Sequence, residues 1–325
     1  MAKPRKLLLL AAACLPALSM AGKHLYKAVP MTGNGLDVEY SHGVGRHGAV
    51  ALRIYNEGAD EDYAGIFIHG QIEQLPDSLG SEAFDVNAAG DAVGYSSAQA
   101  VIWPRTGGKF VIPTPKPQHA SEALAINDAG MVVGMFAMPG NADRCFAWTP
   151  ENGYVDFGMP PGGDYCQPVD VNDHGQATGN AIVDGAGVAF IWKKGQFELL
   201  PLLAGTDRCY GTSINDFGDV AGSCIEDPSN KSHPVLWRQG AIIDLYPHAD
   251  LQDGEAVGID DAGTIVGAVY SQTLQGQVVF DGQGGATDLR SLVRDGQDLN
   301  LGAIGGINKD GTMSVGRYKL VPLRR

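Results

Sequence analysis

Basic residues are scarce in this chain: 23 Lys and Arg against 37 Asp and Glu leave a net charge of −14 and a pI near 4.9. So acidic a chain repels phosphate backbones, which argues against nucleic acid as a partner. No basic amphipathic stretch suggests a membrane surface. Long apolar runs are also missing. Past Ala21 no segment reaches the ~18 consecutive apolar residues of a spanning helix, so no membrane span is expected. Helical periodicity of useful length is absent. So are the nucleophile elbow, the P-loop and the dinucleotide fingerprint. The eight His are scattered without metal-like spacing, and no pair of acids can be assigned as acid and base. No cofactor, metal or catalytic residue is therefore assigned.

The start of the chain has a different character. Lys3, Arg5 and Lys6 precede an apolar run from Leu7 to Leu18, and Ser19-Met20-Ala21 supplies small residues for cleavage. This pattern predicts a signal peptide over residues 1–21 and an exported chain, periplasmic or extracellular. Cleavage would take three positive charges from −14 and leave −17. An alternative is a lipoprotein acylated at Cys14, although Leu is not at the third position before that Cys.

What remains, residues 22–325, is full of glycine and repeats itself. The motif Asn-Asp-x-Gly recurs as Asn87 to Gly90, Asn127 to Gly130, Asn172 to Gly175, Asn215 to Gly218, Asp260 to Gly263 and Asn308 to Gly311. Successive copies are one repeat of roughly 40–48 residues apart. Gly45 to Gly48 is a degenerate first copy. All four tryptophans, Trp103, Trp148, Trp192 and Trp237, follow at 45, 44 and 45, with Phe67 and Phe280 in the matching places on either side. Each repeat reads as short β-branched and aromatic runs broken by turns. Asn or Asp bonds its own downstream backbone, and Gly takes the positive φ that closes such a turn. Four antiparallel strands in roughly 40–45 residues make one propeller blade.

Counting outward from the centre as strands a to d, the a-b-c set occurs seven times. Fourth strands follow near Gln71, Phe110, Tyr154, Phe197, Ala241 and Thr287, which supplies six. The segment His24 to Met31 is predicted to be the seventh and to close the ring. The expected fold is all-β, a single seven-bladed β-propeller; six or eight blades stay open because the first copy is degenerate. Closure removes exposed sheet edges, so a monomer is expected.

Val-Val-Gly or Val-Ala-Gly after the turn, followed by Phe-Ala-Trp or Ala-Phe-Ile-Trp, resembles the HAF-repeat family of bacterial extracellular proteins. The resemblance covers nearly all of residues 22–325. It implies export and a repeated β fold, and no catalytic residues. The first repeat departs from the pattern: Gly45 stands for Asn, and Leu52 stands where Gly94 and Gly134 stand later.

Four cysteines follow the leader. The turn between Asn215 and Gly218 and the pair Cys209/Cys224 share one centre, so these two should face each other across a hairpin and form a disulfide. By elimination Cys145 pairs with Cys166. The Asn-Asp-x-Gly turns offer too few oxygens for calcium and read as hairpin turns. The Trp set reads as packing between blades. His42, Arg46 and His47 break the repeat but read as an exposed turn.

The d-to-a and b-to-c loops share one face of a propeller and vary in length, whereas the uniform turns occupy the other. Binding residues tend to sit on variable loops held by a rigid scaffold. The candidate binding rim is therefore Asp143, Arg144, Asp164, Asp207, Arg208, Asp253 and Glu255. The leading expectation is an interaction module for a protein or glycan on that face. The alternatives are a hydrolase or lyase at the mouth of the central channel and a passive cell-surface structural protein. Convergent acids with a His or Tyr at the mouth would point to catalysis, and an aromatic patch on the loop face to binding.

Overall fold

The computed structural model describes residues 25–33, 35–139 and 143–323. The leader expected over residues 1–21, including Cys14, lies outside the described residues. Seven antiparallel sheets follow one another around a ring, as the repeat count predicts. Blade 1 runs Leu36–Val44, Val50–Asn56, Glu61–Ile68 and Gln71–Leu79. The inner strands of blades 2 to 7 are Glu82–Val86, Ser121–Ile126, Gly163–Val171, Arg208–Ile214, Leu251–Ile259 and Ile304–Ile307.

The ring closes as expected. Tyr26–Pro30 pairs antiparallel with Tyr318–Pro322 and serves as strand d of blade 7. One addition was not read from the sequence. Val293–Arg294 pairs parallel with Tyr26 and Lys27 and makes this sheet five-stranded. A short helix, Leu289–Leu292, leads into it. Asp288 caps that helix by accepting the N–H of Arg290 at 2.9 Å. Leu289, Leu292 and Val293 are buried against Val266, Val279, Met313 and Leu320, so this clasp is held by apolar contact.

Every inner strand carries a bulge just before its turn, as between Ala83 and Asp85, or Pro168 and Asp170. The bulge explains the recurrent glycine of strand b. A Cβ on Gly94 would lie 1.9 Å from the carbonyl oxygen of Glu82, and one on Gly222 2.1 Å from that of Tyr210. Blade 1 solves this differently. There the register jumps from Ser41 to Val44, and Leu52 fits opposite Ser41, fully buried. Gly45 also has a cause. A Cβ there would meet the carbonyl oxygen of Asn87 at 2.6 Å, so the first turn lies against the backbone of blade 2.

The four tryptophans pack against the preceding blade. Trp103 and Trp237 are buried and donate their indole N–H to the carbonyls of Pro76 and Pro201 at 2.9 and 2.8 Å. Trp192 stacks on Phe157 with centroids 3.9 Å apart, and Trp148 packs on Phe110 at 5.3 Å. Both disulfides are present and buried. Cys209–Cys224 spans its hairpin with Cα atoms 4.0 Å apart, and Cys145–Cys166 joins blade 3 to blade 4 at 5.4 Å.

The turns form a second kind of seam. Asn127, Asn172 and Asn215 each donate a side-chain N–H to the turn carbonyl of the next blade, at 2.9, 2.9 and 3.2 Å. Asn308 donates across the closure to Gly45 at 2.8 Å. Beside them, Asp128, Asp173, Asp216 and Asp261 each accept a backbone N–H from the preceding blade's turn. The turn face is thus a belt of hydrogen bonds between blades.

Candidate functional site at the channel mouth

Inner strands converge on a central cavity of about 210 Å³. The bulge residue of each blade lines it. These residues include His42, Phe84, Leu124, Val169, Thr212 and Val257. A bulge points an otherwise unpaired side chain inward, so these residues stand among the polar groups that make up most of the wall, Asp85, Asp170, Asp173 and Lys309 included.

At the turn-face end, Lys309 of blade 7 reaches Asp173 of blade 4 and lies 3.3 Å from Asp216 of blade 5. It crosses to the opposite side of the ring. Burial disfavours its charge, but the two carboxylates more than offset this and raise its pKa. Asp173 is affected in the opposite sense: burial pushes it up, and Lys309 brings it below the usual range.

Two further carboxylates join blades along the wall. Asp85 accepts the N–H of Ile126 at 2.9 Å and of Val86 at 2.8 Å; Asp170 accepts those of Ile214 and Val171 at 2.8 and 2.7 Å. Burial pushes Asp85 up to about 7 against those two donors, and it pushes Asp170 up as well.

Closer to the loop face, the equivalent position of each inner strand in blades 1 to 6 holds Tyr40, Glu82, Glu122, Gln167, Tyr210 or Glu255; Tyr210 packs against Gly187 of blade 4. Glu82 is the best-connected. Its Oε1 lies 2.7 Å from His42 Nε2, and its Oε2 lies 3.6 Å from Arg53. Arg53 also pairs with Glu39 at 2.9 Å and Asp62 at 2.7 Å. Burial pushes Glu82 up, but His42 and Arg53 bring it below the usual carboxylate range. Glu122 goes the other way: burial raises it, and Glu82 and Asp143 add to the shift. Aromatic rings run through the same region. Tyr40 and His42 are 6.5 Å apart, His42 meets Phe84 edge-on at 5.5 Å, and Phe84 lies 5.7 Å from Tyr95. Burial and then Glu82 raise the Tyr95 phenol, so it remains a neutral donor.

The expected rim residues divide between two places. Arg208 is engaged by Asp227 at 2.5 Å and Asn230 at 2.7 Å, and Asp207 accepts the N–H of Asp227. That pair fastens a loop. Asp143 is close enough to add to the burial that raises Glu122 and Tyr165, and Asp253 does the same at Glu255. Arg144 opens strand c of blade 3, and Asp164 is exposed on strand a of blade 4. His42 sits on an inner strand, not in a turn; Arg46 and His47 are exposed at the turn.

Sequence reasoning missed Tyr40, Arg53, Glu82, Phe84, Tyr95 and Glu122. For Tyr40, Glu82 and Glu122 the signal was available five positions before each turn, where the repeats mostly show Glu, Gln or Tyr. Among the described residues, no group of three or more His, Cys, Asp or Glu could hold a metal ion. No helix there is long and apolar enough to cross a membrane.

No protein-family model and no curated protein matches the sequence. Solved structures do match. A streptogramin B lyase superposes with a TM-score of 0.51 at 14% identity, covering 92% of this chain and 97% of that one. Virginiamycin B lyase from Staphylococcus aureus gives 0.54 at 11%, covering 91% and 98%. Acylaminoacyl peptidase from Pyrococcus horikoshii gives 0.54 at 11%, covering 92% of this chain and 51% of the peptidase. At these identities the likeness is one of fold.

Proposed function

We propose that this chain is an exported binding module whose ligand enters the central channel at its loop-face mouth, between blades 1, 2 and 3. The supporting observation is the His42–Glu82–Arg53 cluster, with Tyr40 and Phe84 beside it. Three of these five residues, Tyr40, His42 and Arg53, belong to the blade that departs most from the repeat. Repeat positions that serve only the ring have no reason to diverge together. The cavity is narrow, so it suits a protruding group, such as the end of a glycan or a small molecule, better than a flat protein surface. Export is supported by the leader pattern, the resemblance to HAF repeats and two buried disulfides. Mature protein beginning at Gly22 would confirm cleavage.

A glycan array with pull-down from periplasm or culture medium tests the binding reading. Retained ligand should be lost by His42→Ala and Glu82→Gln, and loss of neither would reject the mouth as the site. One observation favours a second reading. Glu82 and Glu122 have pKa values pushed in opposite directions, as an acid and a base require. Turnover of the retained ligand that Glu122→Gln abolishes without loss of binding would make the site a lyase or hydrolase.

A further inference from the structure

Blade 6 reaches further towards the loop face than blade 7. Its strands b and c pair over six positions, Ile265 to Tyr270, whereas those of blade 7 pair over three, Met313 to Val315. Both runs begin five residues after the first turn residue, Asp260 or Asn308. The last pairs of blade 6 therefore stand clear of blade 7. Nearer the turns this face is sealed, with Val266 and Val279 buried against Leu289, Val293 and Met313. Further out the same face carries Tyr270, Gln275 and Gln277. Tyr270 and Gln275 are direct partners and Gln277 is two residues along, so all three project on one side. The segment that leads from blade 6 into blade 7 faces this overhang. It contributes Asp288, Arg290, Leu299, Asn300 and Leu301 to a cavity of about 260 Å³ between the two.

We infer that this cleft is a second binding site, separate from the channel, and that it takes one ring of a neutral saccharide. Both walls are held in place before any ligand arrives. Leu299 and Leu301 pack on the apolar core beneath, with Asn300 between them. At the hairpin tip Ser271 Oγ accepts the N–H groups of Thr273 and Leu274 at 3.2 and 3.0 Å, and Thr273 donates its hydroxyl to Asp250 at 3.0 Å. The lining then matches a sugar group by group. Tyr270 is 46% exposed and offers a flat ring on which the C–H face of a sugar stacks. Gln275, Gln277 and Asn300 can each donate and accept, as neighbouring hydroxyls require. The charged members cancel, since Arg290 pairs with Asp288 at 3.1 Å, so neither a cation nor an anion is selected. The volume is below the roughly 300–1,000 Å³ of sites for drug-sized ligands, which limits the occupant to a single ring. A peptide strand fits less well, because it adds to a free sheet edge and the cleft presents a sheet face.

The methyl glycosides of glucose, galactose, mannose and N-acetylglucosamine test this, titrated by saturation-transfer NMR into the protein and into its His42→Ala/Glu82→Gln variant. At least one should bind both proteins equally well. Tyr270→Ala should weaken it at least tenfold and Tyr270→Phe should restore it, because the ring face carries the contact. Gln277→Ala and Asn300→Ala should each weaken it several-fold. Tyr270 is half-exposed, so Tyr270→Ala should leave the melting temperature unchanged and its loss of binding is not a loss of fold. The inference is overturned if none of the four binds, or if Tyr270→Ala and Asn300→Ala both leave binding intact. Loss of binding in the His42→Ala/Glu82→Gln variant alone would assign the sugar to the channel mouth, which upholds that site and rejects the cleft. A peptide held through Tyr270 and Asn300, with no glycoside bound, would reject the saccharide.

Discussion

The belt of turn asparagines is interrupted at blade 1 by Gly45, at blade 2 where Asn87 gives its amide to Asp91, and at blade 6, and repairing the link at blade 6 should stabilise the ring. Blades 3, 4 and 5 each give an Asn amide to the next turn's carbonyl, and Asn308 gives one across the closure. Blade 6 has Asp260 instead, which has no amide to offer Asn308. Asp260 is 4% exposed. Burial raises its carboxyl despite the N–H groups of Thr264 and Ala262, and Asp261 adds to the shift. A carboxyl raised in the folded state favours folding while it stays protonated. That contribution is lost as pH climbs through the folded pKa, so wild type carries a penalty at neutral pH. Asp260→Asn removes the charge. Its Oδ1 can accept the Thr264 N–H as Asn215 accepts that of Asp219, and its amide can reach the next blade. One net hydrogen bond contributes about 0.5–1.5 kcal/mol. With relief of the buried charge, the gain should be about 1–2 kcal/mol, or roughly 2–4 °C in Tm for a domain of this size. Calorimetric melts from pH 4 to pH 8 measure it. The gain should be largest at pH 8 and shrink towards pH 4. A variant no more stable than wild type at pH 7.5, or a gain that grows on acidification, would refute the reasoning.

Gly45→Asn also restores the repeat pattern but should destabilise by about 2 kcal/mol or more, because the added Cβ meets the backbone of blade 2; a urea titration measures it. Lys309→Met leaves Asp173 and Asp216 without their cation and should cost about 1–2 kcal/mol at pH 7, less than a fully buried pair because the site is partly open. Asp173 is held below its usual pKa, so that cost should fade as pH drops through the carboxylate range. Replacing Cys145 and Cys166 together by Ser should cost about 3 kcal/mol by loop entropy. Removing Cys209–Cys224 should cost slightly less, since it closes the shorter loop, a separation of 15 residues against 21; melts of the two double variants compare them.

The blade count was legible because the elements that build a blade recur at one period. A turn glycine, a strand-b glycine and a Trp are each demanded by backbone geometry or inter-blade packing, so they recur from copy to copy. The disulfide of the fifth hairpin was legible for a related reason: antiparallel register is symmetric about its turn. The clasp at Leu289–Arg294 was not legible, because so short a helix cannot show a period and so short a parallel strand has no alternation. Most of the site was hidden for another reason. Its side chains come one or two per blade, a full repeat apart, and no local motif links them. Attention to loop variability picked out Asp207 and Arg208, and the structure gives these two a local task, fastening the turn around Asp227.

Departures from the repeat therefore have three separable origins. Gly45 and Leu52 are accommodations, since a neighbouring backbone or an altered register requires them. Asp260 is a defect in a chain of hydrogen bonds. Tyr40 belongs to neither class. It is 60% exposed, on a strand whose later copies mostly place Glu or Gln at this position. Removing so exposed a ring takes little apolar surface out of contact, so Tyr40→Gln should shift stability by no more than about 0.5 kcal/mol. The same change breaks the aromatic arc at its outer end and should weaken ligand binding at the mouth several-fold. A stability loss several times that size with binding intact would place Tyr40 among the residues that build the ring, and divergence of the first blade would then carry no functional meaning.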